Sequence, residues 1–111
     1  MEFAFENKEL RAVCENRRKA EAKFGVKIAQ LLFDRLADLR AADSISDLVV
    51  GDPKVYDDSE GLPNLKIELA NNYVIILRPN HVELPKDKNG NLDWAIVTRL
   101  KIMGIETQKH E

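Results

Sequence analysis

The residues in this chain whose types could do chemistry are few. Four cations, Lys54, Lys66, Arg78 and Lys101, fall in or beside stretches that read as β-strands. Cations gathered on one sheet face make phosphate contacts. If Leu65, Ile67 and Leu69 face a core, Lys66 points away from it, and Lys101 does the same opposite Leu100 and Ile102. The alternative reading is ordinary solvent-side strand residues. His110 offers a general acid or base, because histidine titrates near neutrality; the alternative is a solvated terminal residue. His81 follows Pro79 in a loop and reads as a surface residue. Tyr56 reads as a strand-edge aromatic or a surface on which a base stacks, and Trp94 as a core anchor. Asp52, Asp57, Asp58 and Glu60 lack the alternation and fixed glycine of a calcium loop, and read as a solvated acidic loop. Arg17, Arg18, Lys19, Lys23 and Lys27 read as a solvated helix face. No metal site is expected.

The elements that position these residues follow from hydrophobic period. Phe3 and Phe5 alternate with polar neighbours, which predicts a short strand at Glu2–Phe5. Asn7 is a plausible N-cap for a helix through Leu10, Val13 and Cys14 to about Glu21. Gly25 marks a break. A second helix presents Val26, Ile28, Ala29, Leu31, Leu32, Leu36 and Leu39 on a wide apolar face, and the two helices form a hairpin. Ser44 with Asp47 three residues on predicts one short helical turn. Lys54–Asp58 reads as an edge strand. Leu65, Ile67 and Leu69 mark a half-buried strand, Asn71-Asn72 a hairpin turn, and Tyr73–Leu77 a central strand covered on both faces. After a polar loop over 80–91, Leu92, Trp94, Ile96 and Val97 lead into a last strand at Thr98–Glu106. The predicted class is α+β, an N-terminal strand and a helical hairpin packed on a small antiparallel-rich sheet.

Composition bounds the reading. The 111 residues suit one domain over 1–111. The lone cysteine, Cys14, makes an internal disulfide impossible and reads as a small buried apolar residue. No stretch approaches the apolar length of a membrane span, and the acidic start lacks a signal peptide's basic region, so a cytoplasmic chain is expected. The net charge of −2 is uneven. Residues 1–40 carry +2, residues 41–70 carry −5 and residues 71–111 carry +1.

Several stretches together resemble one family. They are FENKELRAVCEN at 5–16, FGVKIAQLLFDRLADLRAADSISDL at 24–48, NYVIILRP at 72–79 and DKNGNLDWAIVTRLKIMGIE at 87–106. The chain resembles the RelE/ParE toxin superfamily, in particular its HigB-like "plasmid maintenance killer" branch. The resemblance implies a RelE-like fold and a toxin-like component of a type II toxin–antitoxin system. Such proteins are metal-independent, ribosome-dependent endoribonucleases acting on messenger RNA, held silent by a small antitoxin, commonly a helix-turn-helix protein. The resemblance implies no small-molecule cofactor and no membrane partner. In the reaction a ribose 2′-oxygen attacks the adjacent phosphate, so cations, a base and an acid are needed. In those roles stand Lys66, Lys101 and His110 as catalytic candidates, with Lys54, Arg78 and Lys109 as RNA-binding ones. The family often has histidine in the stretch occupied here by Val55–Gly61, and arginine where this chain has Val74. Those departures support an alternative, a catalytically silent toxin-fold protein that acts by protein binding.

Overall fold

The computed structural model describes residues 1–70 and 72–107. Strand β1 (Glu2–Phe5) is followed by helices α1 (Lys8–Glu15), α2 (Arg17–Phe24) and α3 (Val26–Ala41). Strands β2 (Lys54–Asp57), β3 (Pro63–Glu68), β4 (Tyr73–Pro79) and β5 (Arg99–Thr107) follow, with short 3-10 turns at Ile45–Asp47 and Trp94–Ile96. The five strands form one mixed sheet in the order β1-β5-β4-β3-β2. Only β1 and β5 run parallel, and the other neighbours are antiparallel. The chain is therefore an α+β domain, with three α-helices among the described residues. None of these helices is long and apolar enough to cross a membrane.

Asn7 caps α1 as its position predicts, its side chain accepting from the Leu10 N–H at 2.8 Å. The expected single helix to Glu21 is instead two. Asn16 takes an extended conformation, ends α1, and turns its side chain to accept from Lys19 N–H at 3.1 Å, starting α2. Asparagine competes for backbone partners in this way, and no glycine or proline advertises the break. Gly25, at φ +87°, then separates α2 from α3.

The apolar stripe of α3, Ile28, Ala29, Leu32, Leu36 and Leu39, is almost fully buried. Leu32, Leu36 and Leu39 join Leu65, Ile67, Ile75, Leu77, Leu100 and Ile102 from β3, β4 and β5 in one core, with Cys14 and Val13 of α1. Burial pushes the Cys14 thiol up to about 11, so it stays protonated and packs as a small apolar group. The 62–79 segment forms the predicted hairpin. Asn72 at φ +66° takes the left-handed turn position, while Asn71 lies outside the described residues. β4 lies at the centre of the sheet, with Val74 and Ile75, on opposite faces, both buried.

The last strand carries a feature its alternation conceals. Leu77 stands opposite Ile102, but Ile76 stands opposite Gly104, so Met103 is an extra residue. This bulge shifts the alternation by one and lets Leu100, Ile102 and Ile105 all turn to the helix side.

His81, expected on the surface, is half-buried and has a structural task. Its Nε2 accepts from the backbone N–H groups of Thr98 at 3.1 Å and Arg99 at 3.3 Å, where β5 begins. We expect His81→Ala to lower stability by about 1 kcal/mol, read from the urea midpoint, because a net protein hydrogen bond is worth about that much.

Candidate functional site: the outer face of the sheet

Residues opposed across neighbouring strands share a face, and every second residue repeats it. Leu65, Ile67, Ile75 and Leu77 face the helices. On the other face, Lys54 of β2 stands opposite Lys66 of β3, and Lys66 opposite Ile76 of β4. Two residues along β4, Arg78 stands opposite Lys101 of β5, and Lys101 opposite Ala4 of β1. The sheet thus brings Lys54, Lys66, Arg78 and Lys101, one from each of four consecutive strands, onto one outer face. The remaining two candidates, Lys109 and His110, lie outside the described residues.

Among the described residues Lys54, Arg78 and Lys101 are seen engaged with carboxylates. Lys54 Nζ lies 3.1 Å from Asp52, whose hydrogen bond and charge raise the lysine pKa above its ordinary value. Lys101 Nζ lies 3.0 Å from Glu6, just beyond β1. Lys66 Nζ lies 6.0 Å from the centre of the Tyr56 ring. Farther along the face, Glu68 and Glu106 flank Val74. The face is therefore a mosaic of both signs, not a basic stripe, and a phosphate entering it must compete with carboxylates already in place.

Arg78 sits in the most highly built part of the face. Its Nε donates to Asn64 Oδ1 at 3.0 Å and its terminal nitrogen to Asp58 at 3.0 Å. Asn64 is 2% exposed, the sole buried polar side chain among the described residues. Its amide donates to the Leu62 carbonyl at 3.1 Å and to Asp58 at 3.3 Å. Asp58 also accepts from the backbone N–H groups of Glu60 and Leu62. The guanidinium is thus held in one orientation by two acceptors, as a bidentate cation must be.

This corrects the reading of 52–60 as a solvated acidic loop. Asp57 and Glu60 are exposed and Asp52 pairs with Lys54, but Asp58 organises the turn before β3 and anchors Arg78. The signal available was the Asp-Ser-Glu-Gly run, in which an aspartate accepts from N–H groups a few residues on. Among the described residues no group of three or more histidine, cysteine or acidic side chains is placed to hold a metal ion.

The hydrogen bonds that Asp58 accepts, above all from Leu62, hold its carboxyl below the usual aspartate range, and Arg78 adds to this. A folded pKa below the unfolded one contributes stability above the unfolded value, about 4, that is lost as pH falls through the folded value. Acid titration should therefore destabilise the protein below about pH 4, and Asp58→Asn should remove part of that dependence. Urea midpoints of both proteins across pH 2.5–6 test this. Equal slopes would show that Asp58 is not a source.

Tyr56 stands one strand outward from Asn64 in the same register, on the edge strand. Partial burial, then the Glu106 and Asp58 carboxylates, raise its phenol above the ordinary range. It therefore remains a hydrogen-bond donor at neutral pH and is unsuited to act as a base. What the face offers is an oriented guanidinium, flanking amines, a phenol donor and an aromatic ring. That set can position and neutralise a phosphate, but among the described residues no histidine reaches it as a proton carrier.

Comparison with protein-family models, with curated proteins and with solved structures finds no match to this chain.

Proposed function

We propose that this chain has a RelE-like fold and serves as the toxin-like component of a type II toxin–antitoxin pair, in the HigB-like branch of the RelE/ParE superfamily. Its working surface is the outer sheet face, and its target is messenger RNA on the ribosome. The observation that supports this reading is the arrival of Lys54, Lys66, Arg78 and Lys101, from four consecutive strands, on the face away from the helices. Cations so arranged suit a ribose–phosphate backbone. Lys66 and Lys101 would stabilise charge on the attacked phosphate, with His110 as the proton carrier and Lys54, Arg78 and Lys109 holding the strand. A small helix-turn-helix antitoxin would keep the protein silent.

A second reading rests on the ion pairs. Lys54, Arg78 and Lys101 each have a carboxylate at 3.0–3.1 Å. A surface neutralised in this way suits a protein that keeps the toxin scaffold and works by binding another protein.

Induced expression in a bacterial host separates the two. The first reading expects growth arrest and new 5′ ends in ribosome-bound messages, mapped by primer extension. Undiminished growth at high soluble expression overturns it in that host and leaves the binding reading. If the protein is toxic, single replacement of Lys66, Lys101 and His110 by alanine sorts the site, and full toxicity in all three would refute it.

A further inference from the structure

The sheet has two open edges, and that of β1 lies along the floor of a groove. The groove has a volume of about 800 Å³ and is bounded by β1, by Lys8, Arg11 and Glu15 of α1, and by Arg40 of α3. On β1, Glu2 N–H donates to Thr98 and Glu6 N–H to Ile102. Even-numbered residues therefore turn their peptide groups toward β5. Peptide groups alternate along a strand, so those of Phe3 and Phe5 turn the other way, into the groove. Among the described residues β5 is the one strand paired with β1, so the β1–β5 ladder leaves these N–H and C=O groups unused. A row of unpaired backbone groups is a template for another strand.

The charges around the groove say what kind of strand. Arg11 is neutralised by Glu15 at 2.9 Å, and Glu2 by Arg99 at 3.1 Å. Lys8 and Arg40 have no ion-pair partner among the described residues, and Arg40 lies over the Phe3 ring at 5.3 Å. Two cations without an ion-pair partner among the described residues thus flank the β1 edge. We propose that the β1 edge is a docking groove for an extended acidic segment of a partner protein, which adds to the sheet as a further strand beside β1. Main-chain bonds to Phe3 and Phe5 supply attachment, and acidic side chains opposite Lys8 and Arg40 supply selectivity. A second copy of this chain is a poorer occupant, because two-fold pairing of β1 with β1 would line one seam with Lys8 and Arg40 from both copies. The edge of β2 is a poorer host for the same segment, since Asp52 and Asp57 stand beside it. This inference does not depend on the outer face cleaving RNA.

The test uses the isotope-labelled full chain and two blocked hexapeptides, one alternating glutamate with valine and the other lysine with valine. The acidic peptide should shift the Phe3 and Phe5 amide signals and slow their hydrogen exchange at least tenfold. N-methylation of its alternate amides should abolish the effect. Lys8→Glu should weaken the acidic peptide severalfold, and Lys8→Glu with Arg40→Glu should reverse the preference toward the lysine peptide. Lys8 is exposed in the first turn of α1, where an acid is tolerated, so the single variant stays interpretable if the double one unfolds. Four results would overturn the proposal: no binding at millimolar peptide, equal binding of both peptides, shifts centred on Lys54–Asp57, or the same protection appearing with protein concentration alone.

Discussion

Replacing Gly51 by alanine should destabilise the protein by about 2–4 kcal/mol, more than the same change at any of the other four glycines. Two costs combine. Gly51 has φ +93°, a conformation that costs an L-residue roughly 1–2 kcal/mol. A Cβ there would stand 2.6 Å from Cγ2 of Ile67, 3.2 Å from Arg35 and 3.3 Å from the Glu68 carbonyl oxygen. Ile67 is 1% exposed and belongs to the core, so it has little room to retreat; overpacking of this kind costs about 1–3 kcal/mol. The close approach has a reason, because the Gly51 carbonyl accepts from Glu68 N–H at 2.7 Å and ties the connection after α3 to the end of β3. Gly25→Ala is the control. Its φ is similar at +87°, but nothing lies within 4 Å of the added Cβ. The difference between the two urea-derived losses isolates the steric part. Equal losses would mean that Gly51 is not pressed against Ile67.

Leu36→Ala should cost about 3–4 kcal/mol, the usual range for a fully buried leucine whose surroundings cannot collapse. Leu36 is 1% exposed and lies in the stretch of α3 that belongs to the same core as β3, β4 and β5. Val26→Ala, at the exposed start of the same helix with 68% exposure, should change stability by no more than about 0.5 kcal/mol. A loss of under about 1 kcal/mol for Leu36→Ala would contradict a single core joining helix and sheet, given the range above.

Much of this architecture is legible in the residues, for physical reasons that differ by element. Period-two alternation at Leu65, Ile67 and Leu69, and the unbroken apolar run of β4, mark a half-covered strand and a central one. The stripe of α3 marks a helix on that sheet. What hides are the places where one side chain replaces a backbone signal. Asn16 breaks a helix without glycine or proline. Met103 shifts the register of β5 without interrupting its apolar content. His81 stands in a polar loop, yet its imidazole seats the start of a strand 18 residues later. For the candidate site, alternation places Lys66 and Lys101 on the outer face. It does not show which carboxylates meet the cations, because those partners come from turns and from β1. For that reason Asp58 reads as part of a solvated loop and Asn64 draws no notice. A buried asparagine in a strand looks like any polar outward position until the arginine it orients is placed beside it.

The parallel pairing of β1 with β5 has a consequence for how this protein comes into being. Glu2 and Arg99, neighbours in the sheet, are 97 residues apart in the chain. The loop that their pairing closes spans both the helices and the hairpin, and closing so long a loop comes late and slowly. During synthesis β1 emerges before β5 and waits without the strand it pairs with until β5 has been made. For that interval the peptide groups of β1 that face β5 lack the partners they have in the finished sheet, so the unfinished chain carries a strand with both edges open. Any surface that depends on the register of β5, including the placement of Lys101 beside Arg78, exists only after β5 has been translated.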